Sequence, residues 1–234
     1  MRLVSRLAAA ALLAAPMLWA PAQLRAQGWV DRLGLDRLAS LRHPVIVWGE
    51  GAVVEHRVTL GTEVEQASGT MLGIAAQTAI TPWLDLRGAV RGGTLHADWA
   101  PAEDRRVGEL SLAAAAFPVS WIGVVGGLST RGYRTEFGRQ RWTRLSIGPE
   151  LRTPLHDHIT GSIRLTAAPY VAVTDTRAPT RALEGATTVA YENGRLRAAL
   201  GYSLERYDFE PALGARRLEQ LSGLTLGLGW RLGK

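Results

Sequence analysis

The sequence predicts an all-β chain: an up-and-down transmembrane antiparallel β-barrel of ten strands, with eight and twelve as the alternatives. Three observations predict it. The chain begins with an export leader. Apolar and polar residues alternate from about residue 53 to the end of the 234 residues. Aromatic residues gather where the alternating runs stop.

Residues 1–26 have the three parts of a secretory signal peptide. Arg2 and Arg6 form the positive start, and Leu7 to Trp19 the apolar stretch. Two small-residue sites follow, Ala20-Pro21-Ala22 and Leu24-Arg25-Ala26. Cleavage is expected after Ala26, with Ala22 the alternative. The apolar run is shorter than the roughly 20 residues of a spanning helix, and Pro16 interrupts it. Losing Arg2, Arg6 and Arg25 halves the formal charge of +6, and the remaining Arg residues form no basic run. No nucleic-acid partner is therefore expected. The chain has no Cys, which excludes a disulfide scaffold and a thiolate metal site. Its mean hydropathy is too low for a bundle of membrane helices.

Residues 27–52 read as a periplasmic N-terminal segment. Val30, Leu33, Leu38 and Leu41 follow a helical period, so Trp29–Leu41 is expected as a short amphipathic helix, weakened by Gly34. Pro44 to Trp48 reads as an extended entry into the first strand, and the barrel proper as 53–234.

Alternation with period 2 marks ten strands. They are expected at about 53–66, 70–80, 84–96, 107–117, 122–135, 142–152, 159–173, 182–191, 195–207 and 221–232. The seventh is the clearest. Ile159, Gly161, Ile163, Leu165, Ala167, Pro169, Val171 and Val173 share one face, with Thr160, Ser162, Arg164 and Thr166 on the other. In the first, Val54, Val58, Leu60 and Val64 are taken as the apolar face. Strands this long exceed those of soluble sandwiches and suit a tilted crossing of a bilayer.

The polar faces carry nearly balanced charge. Glu55, Arg57, Glu63, Asp85, Arg87, Arg91, Glu109, Arg131, Arg144, Glu150, Arg152, Arg164, Glu184, Arg197 and Glu205 are expected to meet as ion pairs across a narrow lumen. Glu65, Arg195 and Arg231 lie on the same polar faces and are expected to join those pairs. Arg suits this role because its planar fork grips a carboxylate with two hydrogen bonds. A closed barrel also satisfies every backbone N–H and C=O without water. Ten strands enclose a lumen that side chains nearly fill, so a plugged interior is favoured over a narrow channel.

Trp83, Phe117, Trp121, Tyr191 and Trp230 lie at one set of strand ends and are expected as one aromatic girdle. Trp99, Tyr133, Trp142, Phe137, Tyr207 and Phe209 lie at the other set and are expected as a second. Connections on the first side are short: 81–83, 118–121, 153–158 and Glu192-Asn193-Gly194, a hairpin signal. On the other side, 98–106, 136–141, 174–181 and 210–217 are longer, and a short turn is expected near Ser68-Gly69. With an even strand count, short turns on the periplasmic side place both termini there.

The final run, Ser222-Gly223-Leu224-Thr225-Leu226-Gly227-Leu228-Gly229-Trp230-Arg231-Leu232, resembles the assembly signal of outer-membrane barrels, although the chain ends Gly233-Lys234 rather than in an aromatic residue. With the leader and the alternation, residues 50–234 look like a small bacterial outer-membrane β-barrel protein. The resemblance implies outer-membrane lipid and the barrel-assembly machinery as partners, the latter through the C-terminal strand. It names no external ligand and no cofactor.

Candidate chemistry is sparse, and a non-catalytic barrel of structural or surface-interaction type is expected, with a narrow channel and a rim enzyme as alternatives. His156-Asp157-His158 is the densest titratable cluster, but adjacent residues on a turn rarely close a metal shell, so no metal is expected. Ten-stranded omptin-type proteases resemble this architecture, yet their paired acids and Asp–His couple do not map here. His96, Asp98 and Asp175 are the nearest candidates, with Glu103 and Asp104 beside them. Lipid-modifying barrel enzymes use Ser, His and an acid at the rim. His56 is predicted on the lipid-facing side of strand 1, with Ser68 toward that strand's other end. No Gly-x-Ser-x-Gly elbow, phosphate-binding Gly loop or His-Glu-x-x-His motif is present.

Overall fold

A computed structural model describes residues 44–98, 103–135, 138–174, 176–211 and 215–233. The leader, the expected helix at 29–41, Trp99, Phe137 and Asp175 lie outside the described residues. Ten strands follow in chain order: β1 (Val45–Leu60), β2 (Glu63–Thr81), β3 (Leu84–Ala97), β4 (Arg105–Val119), β5 (Ile122–Arg134), β6 (Arg139–His156), β7 (Ile159–Val173), β8 (Arg181–Asn193), β9 (Leu196–Asp208) and β10 (Arg217–Leu232).

Each strand pairs with its sequence neighbours, and β1 closes on β10 from Val45↔Leu232 to Leu60↔Arg217, all antiparallel. Closure leaves no free edge, which is what permits a sheet to sit in lipid. The starts of β1 and β3 and the end of β10 lie at one rim, where two-residue connections join β2–β3, β4–β5, β6–β7 and β8–β9. The longer connections lie at the opposite rim, termed here the loop rim.

The strand count and order agree with the alternation, but the first hairpin does not. β1 begins at Val45 rather than at residue 53, and it turns at Gly61 and Thr62. Gly61 has φ 59°, a left-handed conformation suited to glycine. Ser68 and Gly69, expected as the turn, lie inside β2. A Cβ on Gly69 would come within 2.0 Å of the Thr94 carbonyl oxygen. The glycine is there for that close approach and not for a turn.

The outward face is apolar through the middle of the wall, with Leu72, Ile74, Val90, Leu112, Leu128, Ile147, Ile163, Leu165, Leu200 and Leu228 all exposed. The inward face of β1 is the even-numbered one, since Ala52, Val54 and His56 are buried. Val54 therefore points into the barrel and Val64 out of it, opposite to the single shared face expected. β7 carries a second departure. Leu145 pairs with Tyr170 and Ile147 with Ala167, so β7 has one residue more than β6 between them. This bulge around Pro169, a residue that cannot donate to the ladder, turns Tyr170 outward and brings Val171 and Val173 against the interior cluster.

Candidate functional site: the lumen

Inward parity delivers a charged residue from nearly every strand. Near mid-height these form one alternating chain. Glu50 on β1 meets Arg91 on β3 at 3.3 Å, and Arg91 meets Glu109 on β4 at 3.8 Å. Arg131 on β5 donates to Glu109 at 2.8 Å and grips Glu205 on β9 with two bonds of 2.8 and 2.9 Å. Arg144 on β6 lies 3.3 Å from Glu205 and 2.9 Å from Glu184 on β8. Arg164 on β7 donates to Glu184 at 2.5 Å. Eight strands are tied through alternating signs, so each buried ion has an opposite neighbour.

Directly toward the loop rim lies a second, mostly apolar layer. Tyr207 donates to Glu205 at 2.6 Å and packs edge-on to Trp142, which also meets Phe209 edge-on. Met71, Leu95, Val107 and Tyr133 complete the cluster with Ala52 and Val54. His56 stacks on Tyr133 with ring centroids 5.3 Å apart. Arg105 donates to His56 Nδ1 at 2.9 Å, so Nε2 carries the ring hydrogen toward Glu219, 3.4 Å away. Arg105 also pairs with Glu65, and Arg217 with Glu219.

Toward the short-turn rim the arrangement opens. Arg87 grips Glu150 with two 2.8 Å bonds, and Arg152 bridges Glu150 and Asp85 at 2.9 and 2.6 Å. Arg152 lies 3.7 Å above the Phe117 ring. Glu192 holds Arg197 at 2.5 Å and Arg231 at 2.7 Å, and Arg197 lies 5.1 Å over Trp48. A cavity of about 600 Å³ runs between these groups. Its lining extends from Pro44, Ile46 and Arg231 at the short-turn rim past Arg131, Arg144 and Glu205 to Ala52, Val54 and Met71 of the apolar layer. The Trp142–Tyr207–Phe209 layer lies beyond it.

Several expected site residues are placed elsewhere. Glu55 and Arg57 lie on the outward face of β1, because its inward face is the even one, and Glu63 is exposed at the tip of β2. Phe117, Tyr133 and Trp142 are buried inside the barrel, each sharing parity with an inward charge on its own strand or its partner. They belong to no girdle. Trp83, Trp121, Tyr191 and Trp230 are exposed near the short-turn rim. His56 is buried within the lumen and not lipid-facing. The lumen holds the expected Glu65 and Arg231 and also recruits Glu50, His56, Arg105, Glu192, Arg217 and Glu219, some from segments expected to be loop or leader-side chain, while Arg195 is exposed in the β8–β9 turn.

At the loop rim, His96 Nδ1 lies 2.7 Å from Asp104, and both are exposed. This contact and a backbone N–H from Ala97 hold the Asp104 carboxyl below its ordinary range. Ser68 stands directly opposite His96 on the outward face of β2 and β3. His158 meets Tyr191 edge-on at the other rim. Among the described residues no cluster of three metal-ligating side chains occurs.

No protein-family model matches the chain, and no curated protein matches its sequence. Its fold is shared with a solved bacterial barrel. The outer membrane protease OmpT from Escherichia coli aligns over 82% of this chain and 97% of its own, at 11% identity and a TM-score of 0.59. The translocator domain of autotransporter NalP from Neisseria meningitidis aligns at 12% identity and a TM-score of 0.41, covering 87% of this chain and 95% of that one. Neisserial surface protein A aligns at 14% identity and 0.35, covering 78% and 96%. At such identities the likeness shows the fold alone: this is an all-β, ten-stranded closed barrel of the bacterial outer-membrane type.

Proposed function

We propose that the chain is a sealed outer-membrane barrel of structural or surface-interaction type, which does not conduct. The observation that carries this reading is the double closure of the loop-side lumen. The alternating ion chain from Glu50 to Arg164 spans the interior, and the Trp142–Tyr207–Phe209 layer lies on it. A solute entering the 600 Å³ cavity from the short-turn rim passes the mutually neutralised charges that line it and is stopped at the Trp142–Tyr207–Phe209 rings, which lie outside the lining. In this reading residues 1–26 are the removed leader, 27–43 are periplasmic, and the short-turn rim faces the periplasm. The longer connections at the other rim, 98–104 and 174–180, then make the external contacts. The barrel-assembly machinery engages β10.

Single-channel recording tests the seal. The mature chain, shown folded by a heat-dependent gel shift, is placed in a planar bilayer. Silence is expected. Steady conductance in the wild type overturns the reading and makes the luminal Arg and Glu residues a selectivity filter.

One observation favours a second reading, a rim enzyme acting on lipid esters. Ser68, His96 and Asp104 share one outward patch, with Asp104 orienting His96 through Nδ1. That is the order of nucleophile, base and orienting acid in acyl transfer. Release of fatty acid from phospholipid vesicles by the wild type, lost in both Ser68→Ala and His96→Ala, would establish it. No release by the wild type removes it.

A further inference from the structure

The outward face of the wall at the loop rim carries a row of like charges. Arg106 on β4 stands directly opposite Arg134 on β5, and Arg134 opposite Arg139 on β6. Arg141 follows on the same face of β6. All four are exposed, and their parity is that of the lipid-facing Leu110, Leu112, Leu128, Leu145 and Ile147. No carboxylate among the described residues pairs with them. Glu136, which lies between Arg134 and Arg139 in sequence, is outside the described residues. Like charges placed directly opposite one another weaken a sheet. An anion between them would relieve the repulsion across such a row.

The wall beneath this row is recessed. The next register row reads Arg141, Gly132, Gly108 and Gly92. A Cβ built on Gly108 or Gly132 would meet nothing within 4 Å. The row below holds Thr143 and Thr130, and the one after it Leu145, Leu128 and Leu112. Arginine forks, a shallow glycine trough, two hydroxyls and an apolar wall thus follow one another down the strands. With strands tilted by about 40°, Arg134 lies about 10 Å above Thr130, the depth of a headgroup phosphate over the apolar band.

A second basic cluster lies on the outer face of β8–β10. Arg206 and Arg216 both bind Asp208, at 3.2 and 2.9 Å, with Arg181 opposite it in register. That cluster carries its own carboxylate. Among the described residues, the β4–β6 row carries none.

We propose that the outward face of β4–β6 is a binding site for a phosphorylated glycolipid of the outer leaflet. Arg106, Arg134, Arg139 and Arg141 hold its phosphate, and the Gly92–Gly108–Gly132 trough admits its sugar. The guanidinium fork matches phosphate geometry with two parallel bonds. The continuity of the trough with the apolar wall selects a lipid over a free anion, because a soluble phosphate would use only the top row. The assignment rests on the proposed orientation, with the loop rim in the outer leaflet.

Native mass spectrometry of the full mature chain, folded in detergent, tests the site with diphosphoryl lipid A as the probe. The wild type is expected to retain one lipid A. The variant R106Q/R134Q/R139Q, folded by gel shift, is expected to lose roughly tenfold or more in affinity. R181Q/R206Q is expected to bind as the wild type does. Equal retention by the triple variant overturns the site. Equal retention of dephosphorylated lipid A overturns the role of phosphate. Full displacement by millimolar inorganic phosphate shows a free-anion site and overturns the lipid assignment. Should the triple variant not fold, Gly108→Leu fills the trough without touching a charge. It is expected to lower retention several-fold, and unchanged retention overturns the proposal.

Discussion

The two halves of the lumen use the same side chains to different ends. Toward the loop rim, Arg131 and Glu205 are both under a tenth exposed, and Trp142, Tyr207 and Phe209 cover them. Toward the short-turn rim, Arg197 and Arg231 share Glu192, which is about a third exposed, beside an open cavity. Coulomb attraction between identical groups strengthens as water is excluded, and so does the cost of removing one partner. Burial follows the apolar neighbours in both halves: Glu150, beside the Phe117 cluster, is as buried as Glu205, and Glu192, with no such cover, is the exposed one.

The sharpest way to break the contrast is Glu205→Ala. It leaves Arg131 and Arg144 buried without their shared partner, and a loss of about 3–5 kcal/mol is expected. Urea unfolding of the barrel in vesicles, followed by Trp fluorescence, measures it. A loss below about 1 kcal/mol would show that the loop-side half is as hydrated as the other. Trp142→Ala comes next, at about 3 kcal/mol for a buried aromatic whose site cannot fully collapse. It alone is expected to raise conductance noise while Glu205 remains. The double variant is expected to open a steady current.

Much of this was legible in the sequence, and the misplaced charges of β1 have one cause. Ten strands, their order and the closing C-terminal strand follow from period-2 alternation. Alternation separates two faces but does not say which is inside. The assignment holds where the inner face is charged, as at Arg87, Arg144 and Glu184. It fails on β1, where Ala52 and Val54 serve an apolar layer inside the barrel and leave Glu55 and Arg57 outside. Tyr133 and Trp142 were readable as interior, since each lies two residues from an inward Arg. Their place near strand ends suggested a girdle instead. The turn at Gly61 and Thr62 was hidden because apolar residues continue at even positions, Leu60 before it and Val64 after it. The bulge at Pro169 left no mark, because Val171 and Val173 extend the apolar run without a break.

On the vestibule side the expected effect is small. Glu192→Gln removes an acid from a part-exposed pair with Arg197 and Arg231, and less than about 1 kcal/mol is expected by the same urea assay. A loss equal to that of Glu205→Ala would erase the distinction between the halves.

The smallest effect lies outside both halves, at His96 and Asp104. The His96 hydrogen bond, aided by the Ala97 N–H, depresses the Asp104 carboxyl in the folded chain. A group with a lowered folded value contributes stability above its unfolded value and loses it as pH falls through the folded one. The contact is therefore expected to persist from neutral pH down to the ordinary Asp value of 3.8 and to fade only below it. Because both side chains are exposed, water and salt screen the pair, and no change in overall unfolding is expected. Carbon-detected NMR of the Asp104 carboxyl across that range reads it directly. A midpoint above the ordinary value would mean that the Asp104–His96 bond is absent in solution, and Ser68 and His96 would then face each other without an orienting acid.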